Sequence, residues 1–213
     1  MRAGWRLLPI ALAVLAAGVP APARAEAPLR QLEGAVTRVL QVLDDQALRA
    51  EARTGERRAE IRRIAGEIFD FAEITKRALG PHWPARTRAE RAEIVGLMTE
   101  LLERSYMSKI ELYGGERIAF TGETVDGDLA TVRTRIITRQ GTEIPVDYRM
   151  LRQGDHWSAY DVTIEGVSLV ANYRSQFAKV IQTGSYAELV RRLRAKLGEA
   201  DPAEPTLKRT SQK

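Results

Sequence analysis

Apolar positions change their period twice along this chain. Leu29, Leu32, Val36, Val39, Leu40 and Leu43 recur at three- and four-residue intervals, the single stripe of an amphipathic helix. A shorter stripe follows at Ile61, Ile64 and Ile68. Asp70 and Glu73 then stand at capping-box spacing and open a helix that ends at Gly80, with Pro81 and Pro84 behind it. Thr87 and Glu90 repeat that spacing ahead of a long helix running to about Leu112. Its apolar residues (Ile94, Val95, Leu97, Met98, Leu101, Leu102, Tyr106, Met107, Ile110 and Tyr113) cover more than one narrow stripe. A helix that apolar faces either a thick core or an enclosed hollow.

From Glu116 to Glu165 the period becomes two. Ile118 and Phe120 lead one strand; Ala130, Val132, Thr134 and Ile136 alternate in the next; Ile144, Val146, Tyr148 and Met150 in a third. The fourth runs through Ile164. Asp126-Gly127-Asp128, Gln140-Gly141 and Gln153-Gly154-Asp155 supply the turns, which makes an antiparallel meander. Helical spacing then returns at Leu169, Val170, Tyr173, Phe177 and Ile181. After Gly184, Ser185 and Glu188 form another capping-box pair ahead of Leu189, Val190, Leu193 and Leu197. Helices gathered on one side of such a sheet give an α+β fold.

Residues 1–25 read as a secretory signal: Arg2 and Arg6, an apolar run from Leu7 to Gly18, and Ala23-Arg24-Ala25 as a small-x-small cleavage pattern. The run is shorter than the ~20 residues that span a bilayer, and no cysteine follows it for lipid attachment. Residues 26–197 then form one domain, and the polar stretch 198–213 reads as a disordered tail. Losing Arg2, Arg6 and Arg24 lowers the formal charge from +5 to +2, which gives no support to nucleic-acid binding. Glu56-Arg57-Arg58-Ala59-Glu60 reads as a solvated helix face of i to i+4 pairs.

Chemistry is sparse. There is no cysteine, and His82 and His156 lie far apart, so neither disulfides nor a Cys/His metal site is expected. No nucleophile elbow and no serine–histidine–acid arrangement is present. Asp147 and Asp161 are the strand aspartates, and alternation sets both opposite the apolar faces. For Asp161 that favours a structural, hydrogen-bonding role over catalysis.

The richest stretch is Trp157-Ser-Ala-Tyr160-Asp161, followed by Glu165-Gly166-Val167-Ser168 and Asn172-Tyr173-Arg174-Ser-Gln-Phe177. With Phe69-Asp70-Phe71 through Leu79-Gly80 and Trp83, and Tyr106 with Tyr113-Gly114-Gly115, it resembles the MlaC family, the toluene-tolerance auxiliary proteins. The resemblance spans roughly Leu29 to Leu197. It implies a nuclear-transport-factor-2-like cone: a curved antiparallel sheet of about four strands, covered by N-terminal and C-terminal helices. It implies, too, a periplasmic shuttle with phospholipid as cargo and no cofactor. The partners it implies are an outer-membrane lipoprotein–porin complex and an inner-membrane ABC transporter complex with its periplasmic lipid-binding ring.

On that resemblance the cavity walls fall to Val146, Tyr148 and Met150 on one strand and Tyr160, Val162 and Ile164 on the next. Val167, Leu169, Val170, Tyr173 and Phe177 line it from the following turn and helix. Phe71, Ile74 and Leu79 form another wall, and Met98, Leu102, Tyr106 and Ile110 the lid. Arg174 could meet a headgroup phosphate through its forked guanidinium or make a surface salt bridge. A two-chain phospholipid carries about 30 methylenes at ~0.8 kcal/mol each, on the order of 25 kcal/mol gross. Escape into water over that barrier takes days, so a carrier needs a cavity as apolar as a bilayer and must hand lipid over by docking. Three other readings stay open: a carrier of hopanoid-type lipids, a cone-fold enzyme using an aspartate, and an adaptor with a filled core.

Overall fold

The computed structural model describes residues 26–198. The expected signal segment, and all of the polar tail beyond Gly198, lie outside the described residues. Four helices come first: α1 (Pro28–Asp44), α2 (Thr54–Ile68), α3 (Phe71–Leu79) and α4 (Arg88–Glu111). Short 3₁₀ turns occupy Glu51–Arg53 and Gly80–His82. Strands β1 (Arg117–Asp126), β2 (Leu129–Ile137), β3 (Glu143–Gln153), β4 (His156–Ile164) and β5 (Val167–Ser168) follow, then α5 (Leu169–Thr183) and α6 (Tyr186–Gly198).

The helix starts carry the caps that the spacing predicts. Thr87 and Glu90 make a complete capping box: Glu90 N donates to Thr87 Oγ1 (3.2 Å) and Thr87 N to Glu90 Oε2 (2.7 Å). Asp70 makes one half only, accepting from Glu73 N at 2.8 Å. Its own backbone N–H is diverted to Ala159 O at 3.0 Å, and Glu73 pairs with Lys76 and Arg77 instead.

The strands form an antiparallel sheet in the order β1-β2-β3-β4-β5. The four expected strands are all present. The fifth, Val167–Ser168, was not expected, because two residues are too few to show a period; it pairs with Ile164 and Thr163 across the Glu165-Gly166 turn. Beyond β5 the edge of β4 is covered by a parallel bridge from Phe69 to Ala159, which removes an open edge. Register shifts at Phe120/Gly122 and Arg149/Met150 bend the sheet.

Two hydrophobic cores result. One is helical: Ile74, Ala78 and Leu79 of α3, Ile94, Met98, Leu101 and Leu102 of α4, Val170 and Phe177 of α5, and Leu189, Val190, Leu193 and Leu197 of α6. The other joins Leu32, Ala35, Ile64 and Ile68 of α1 and α2 to Ala130, Val132, Met150, Trp157 and Ala159 of the sheet. Much of the unusual apolar width of α4 is therefore taken up by helix–helix packing.

The sheet core is latched by polar contacts as well. The Gln31 side chain on α1 grips the backbone of Trp157 in both directions, donating to its O (2.9 Å) and accepting from its N (2.9 Å). Arg57 and Arg58, expected on a solvated face, instead reach Glu111 at the end of α4, each with an Nη2–carboxylate contact of 2.8 Å. The short-range surface pairs are Arg53–Glu56 ahead of and within the first turn of α2, and Arg63 with Glu60 and Glu67 farther along it.

Candidate functional site

The two cores meet at Phe69, whose side chain packs against both. Its ring lies 6.0 Å from Phe71 of α3 and 6.5 Å from Tyr148 of β3, centroid to centroid. Phe71 adjoins this seam from the helical side and Tyr148 from the sheet, while half-buried Tyr106, Leu169 and Tyr173 pack on the helical core. Phe69 was not among the predicted wall residues. It stands just ahead of the Asp70 cap, where the helical stripe breaks, so spacing assigns it to no face.

Tyr148 sits mid-sheet, with Val132 across from it on β2 and Val162 on β4. Val146 and Met150, its neighbours on the same face, are sealed at 4% and 0% exposure. Tyr148 is only half-buried by comparison, yet burial alone pushes its phenol up to about 12. Burial also raises the phenols of Tyr106 and Tyr173 above the usual tyrosine range.

The remaining predicted residues divide. Ile74, Leu79, Met98, Leu102, Val170 and Phe177 are buried in the helical core. Ile110 is half-buried near the end of α4. Val162 and Ile164 share the face of Tyr148 and Val146, as alternation predicts. Ile164 and Val167 are open to solvent, however, at 36% and 63% exposure, so they rim the sheet and do not wall it.

Tyr160 departs from the predicted face. The register runs Arg149↔Asp161 and then Met150↔Ala159, so Tyr160 is the extra residue of a β-bulge. Its ring is buried under two cations, with the Arg77 guanidinium 3.9 Å and that of Arg149 5.5 Å from its centroid. The bulge puts Trp157 and Ala159 in the sheet core with Met150.

Asp161 has the structural role that the sequence suggests. It is 2% exposed and accepts from Ser168 Oγ (2.6 Å) and from Val170 N at the start of α5 (3.0 Å). The turn between them holds Glu165 at φ 50° and Gly166 at φ 82°, the left-handed pair that a two-residue hairpin loop of primed type requires. Tyr160-Asp161 and Glu165-Gly166-Val167-Ser168 are thus one hydrogen-bonded unit that aims α5 from the end of β4. Asp147 lies on the opposite face from Tyr148, between Arg133 and Thr163.

Among the described residues Arg174 makes no carboxylate salt bridge. Its Nε donates to Arg77 O at 2.8 Å, closing the end of α3, and its stem packs over Gly80.

Two open clefts lie elsewhere. One of about 500 Å³ is lined by residues of α1, the end of α2 and the β3–β4 turn, including Arg30, Arg38, Glu67 and His156. The other, about 270 Å³, lies between α1 and α2 beside Arg38, Asp45 and Glu60. None of the predicted lipid-contacting residues lines either. Among the described residues no group of three or more acidic or histidine side chains is placed to hold a metal ion. Among the same residues no helix is long and apolar enough to cross a membrane.

The fold is similar to that of a phospholipid-binding protein from Ralstonia solanacearum, solved in complex with a phospholipid. The TM-score is 0.69 at 25% identity, covering 81% of this chain and 97% of that one. Toluene tolerance protein ttg2D of Pseudomonas putida is 22% identical over 130 residues. That match takes in 57% of this chain and 58% of the curated relative, little more than half of its length. The family model described as MlaC protein matches residues 33–195, most of the molecule, and the chain belongs to the MlaC family.

Proposed function

We propose that this protein is a periplasmic phospholipid carrier. In this reading it collects lipid at one membrane complex and delivers it at another, helping to keep the outer-membrane leaflets asymmetric. The observation that carries the reading is the match to the lipid-bound Ralstonia solanacearum protein, which aligns over 97% of that protein's length. The family, a carrier-type fold and a binding neighbour all point to binding and transport and away from catalysis. Asp161 agrees, because both its carboxylate oxygens are already occupied in holding α5.

The cargo's acyl chains enter the seam between the helical and sheet cores. Phe69, Phe71, Tyr106, Tyr148, Leu169 and Tyr173 give there when the chains go in. A seam between two packed bodies parts without dismantling either core, whereas a single continuous core would lose packing throughout. Because water is such a poor alternative for the cargo, loading and unloading occur by docking. An outer-membrane lipoprotein–porin complex and an inner-membrane ABC transporter with its lipid-binding ring fill those roles.

The test is to purify the exported protein under native conditions, weigh it intact by native mass spectrometry, and extract it with organic solvent. The expected result is a mass increment equal to a diacyl phospholipid that the extract then yields. Protein that is empty, and that takes up no lipid from labelled vesicles, sinks the proposal.

A further inference from the structure

Residues 26–198 carry a net charge of +2, but they do not carry it evenly. The stretch entering α4 (81–93) and α6 with the residue ahead of it (185–198) hold seven cations and three carboxylates, a net of +4, so the rest of the described chain nets −2. The two stretches form one pole of the molecule. The Tyr186 hydroxyl at the start of α6 donates to Glu90 O at 3.1 Å, the Arg86 guanidinium lies 4.4 Å from the Tyr186 ring centroid, and Arg194 pairs with Glu93. The apolar side of α6 (Leu189, Val190, Leu193 and Leu197) is taken up by the helical core, which turns Arg191, Arg192, Arg194 and Lys196 outward. Glu188 alone answers both Arg191 and Arg192, each at 2.7 Å, and it is 24% exposed against their 70% and 58%. One positive charge is left over there, above a carboxylate at its foot. Arg91 meets a backbone oxygen, Pro84 O at 3.0 Å, and the Trp83 ring, 5.1 Å to the centroid; neither cancels its charge.

We infer that this pole is a docking surface for an anionic phospholipid bilayer, held there by charge. The inference goes beyond the carrier reading, because a surface contact is independent of what the seam holds. The choice of occupant rests on how the patch is made. A stable protein–protein interface centres on buried apolar and aromatic side chains, with charge at its rim. The exposed large hydrophobic residues of the described chain (Leu112, Val125, Leu129, Ile164 and Val167) all lie outside this pole. Trp83 and Tyr186 are half-buried beneath cations. A layer of lipid phosphates asks only for the number and reach of charges, and each Lys or Arg brought to it tightens binding about 5-fold. Long, exposed arginines on two adjoining elements supply both. Because the apolar face of α6 is committed to the core, the contact is peripheral, without the insertion that an unpartnered amphipathic helix makes. A molecule positive at one pole and negative in balance elsewhere also approaches an anionic surface pole first.

The experiment is co-sedimentation of the full-length exported protein with vesicles of phosphatidylcholine, alone or with about a third phosphatidylglycerol. At low salt the anionic vesicles are expected to bind about 100-fold more tightly, and ~0.5 M sodium chloride should release the protein by screening the contact. Arg191→Gln/Arg192→Gln/Arg194→Gln should lose most of that preference. Lysines at the same three positions should keep it, because a lipid surface reads charge and not the guanidinium fork. These side chains are exposed, so both variants should melt close to the wild-type temperature and retain the wild-type lipid complement in native mass spectrometry. Equal binding to the two kinds of vesicle overturns the inference, as does anionic binding that survives the glutamine variant. Loss with the lysine variant overturns it too, and assigns the face to a partner protein with placed carboxylates. Inorganic phosphate that displaces the protein beyond sodium chloride of equal ionic strength also overturns it, in favour of a small-anion site. Protein that binds anionic vesicles through this pole yet carries no lipid upholds the inference and sinks the carrier reading, so the two failures are distinguishable.

Discussion

The helical core and the sheet core bury similar residues by different means. In the helical core, packing is nearly all apolar: Ile94 and Met98 reach 0% exposure among leucines, valines and a phenylalanine. The sheet core mixes Val132 and Met150, equally sealed, with polar latches such as Gln31 on Trp157 and Glu123 accepting from Leu29 N at 2.7 Å. Apolar contacts are individually weak and collectively additive, so the helical body has no single point of failure. Latches are few and directional, so the sheet body is held at identifiable points. The seam in which we propose the cargo sits lies where the two styles of packing meet.

Met98 and Met150 form a matched pair for breaking this comparison: the same side chain, fully buried, one in each core. Truncation to alanine should destabilise either site by about 2–5 kcal/mol in urea denaturation. The expected difference lies in the cargo. Met150→Ala enlarges the space next to Tyr148, so the lipid recovered should shift toward longer or bulkier chains. Met98→Ala should leave the lipid profile unchanged. If Met98→Ala shifts the profile instead, the hollow belongs to the helical body and the seam is not where lipid sits.

A smaller effect should follow from cutting the link between β4 and α5. Asp161→Ala strands the Ser168 hydroxyl and the Val170 N–H, and it leaves Arg149 Nη1 without the carboxylate 3.9 Å away. Loss of charged acceptors for two donors should lower stability by about 2–3 kcal/mol. Hydrogen exchange should report the start of α5 opening before the α3–α4 packing does. Uniform opening of the whole helical core would mean that Asp161 does not act as a local hinge pin.

The sequence announces what is local. Capping pairs, glycine turns and apolar periods locate six helices and four long strands, because each signal is complete within a few residues. The expected pairing of β2 with β3 is equally local, set by the Gln140-Gly141 turn. What escapes a linear reading is long-range or aperiodic. One inserted residue puts Tyr160 out of phase with Val162, and alternation has no means of counting it. Gln31 meets Trp157 and Arg174 meets Arg77 across 126 and 97 residues, through groups that look like ordinary surface side chains. The division of one apolar set into two cores is a property of packing, which is why Met98 and Tyr148 look alike on paper and sit apart in space.

The smallest expected effect concerns the latch that ties the two bodies together at the far end of α4. Glu111 is the last residue of that helix, where a negative charge opposes the helix dipole. Burial is the largest single influence on its carboxyl and pushes it up, yet the hydrogen bonds from Arg58 and Arg57 together hold it below the usual glutamate range. The folded state therefore binds this proton more weakly than the unfolded chain. The latch's contribution is present above the ordinary glutamate pKa of ~4.3 and is lost as pH falls through the lowered folded value. Glu111→Gln should lower stability by about 1 kcal/mol near neutrality, a modest figure because Arg58 is largely solvated. The gap between variant and wild type should narrow as the pH is lowered below 4 and close once the wild-type carboxyl is protonated. A gap that stays constant through that range would assign the effect to packing around the end of α4, and the ion pair would then not be what joins the helical body to α2.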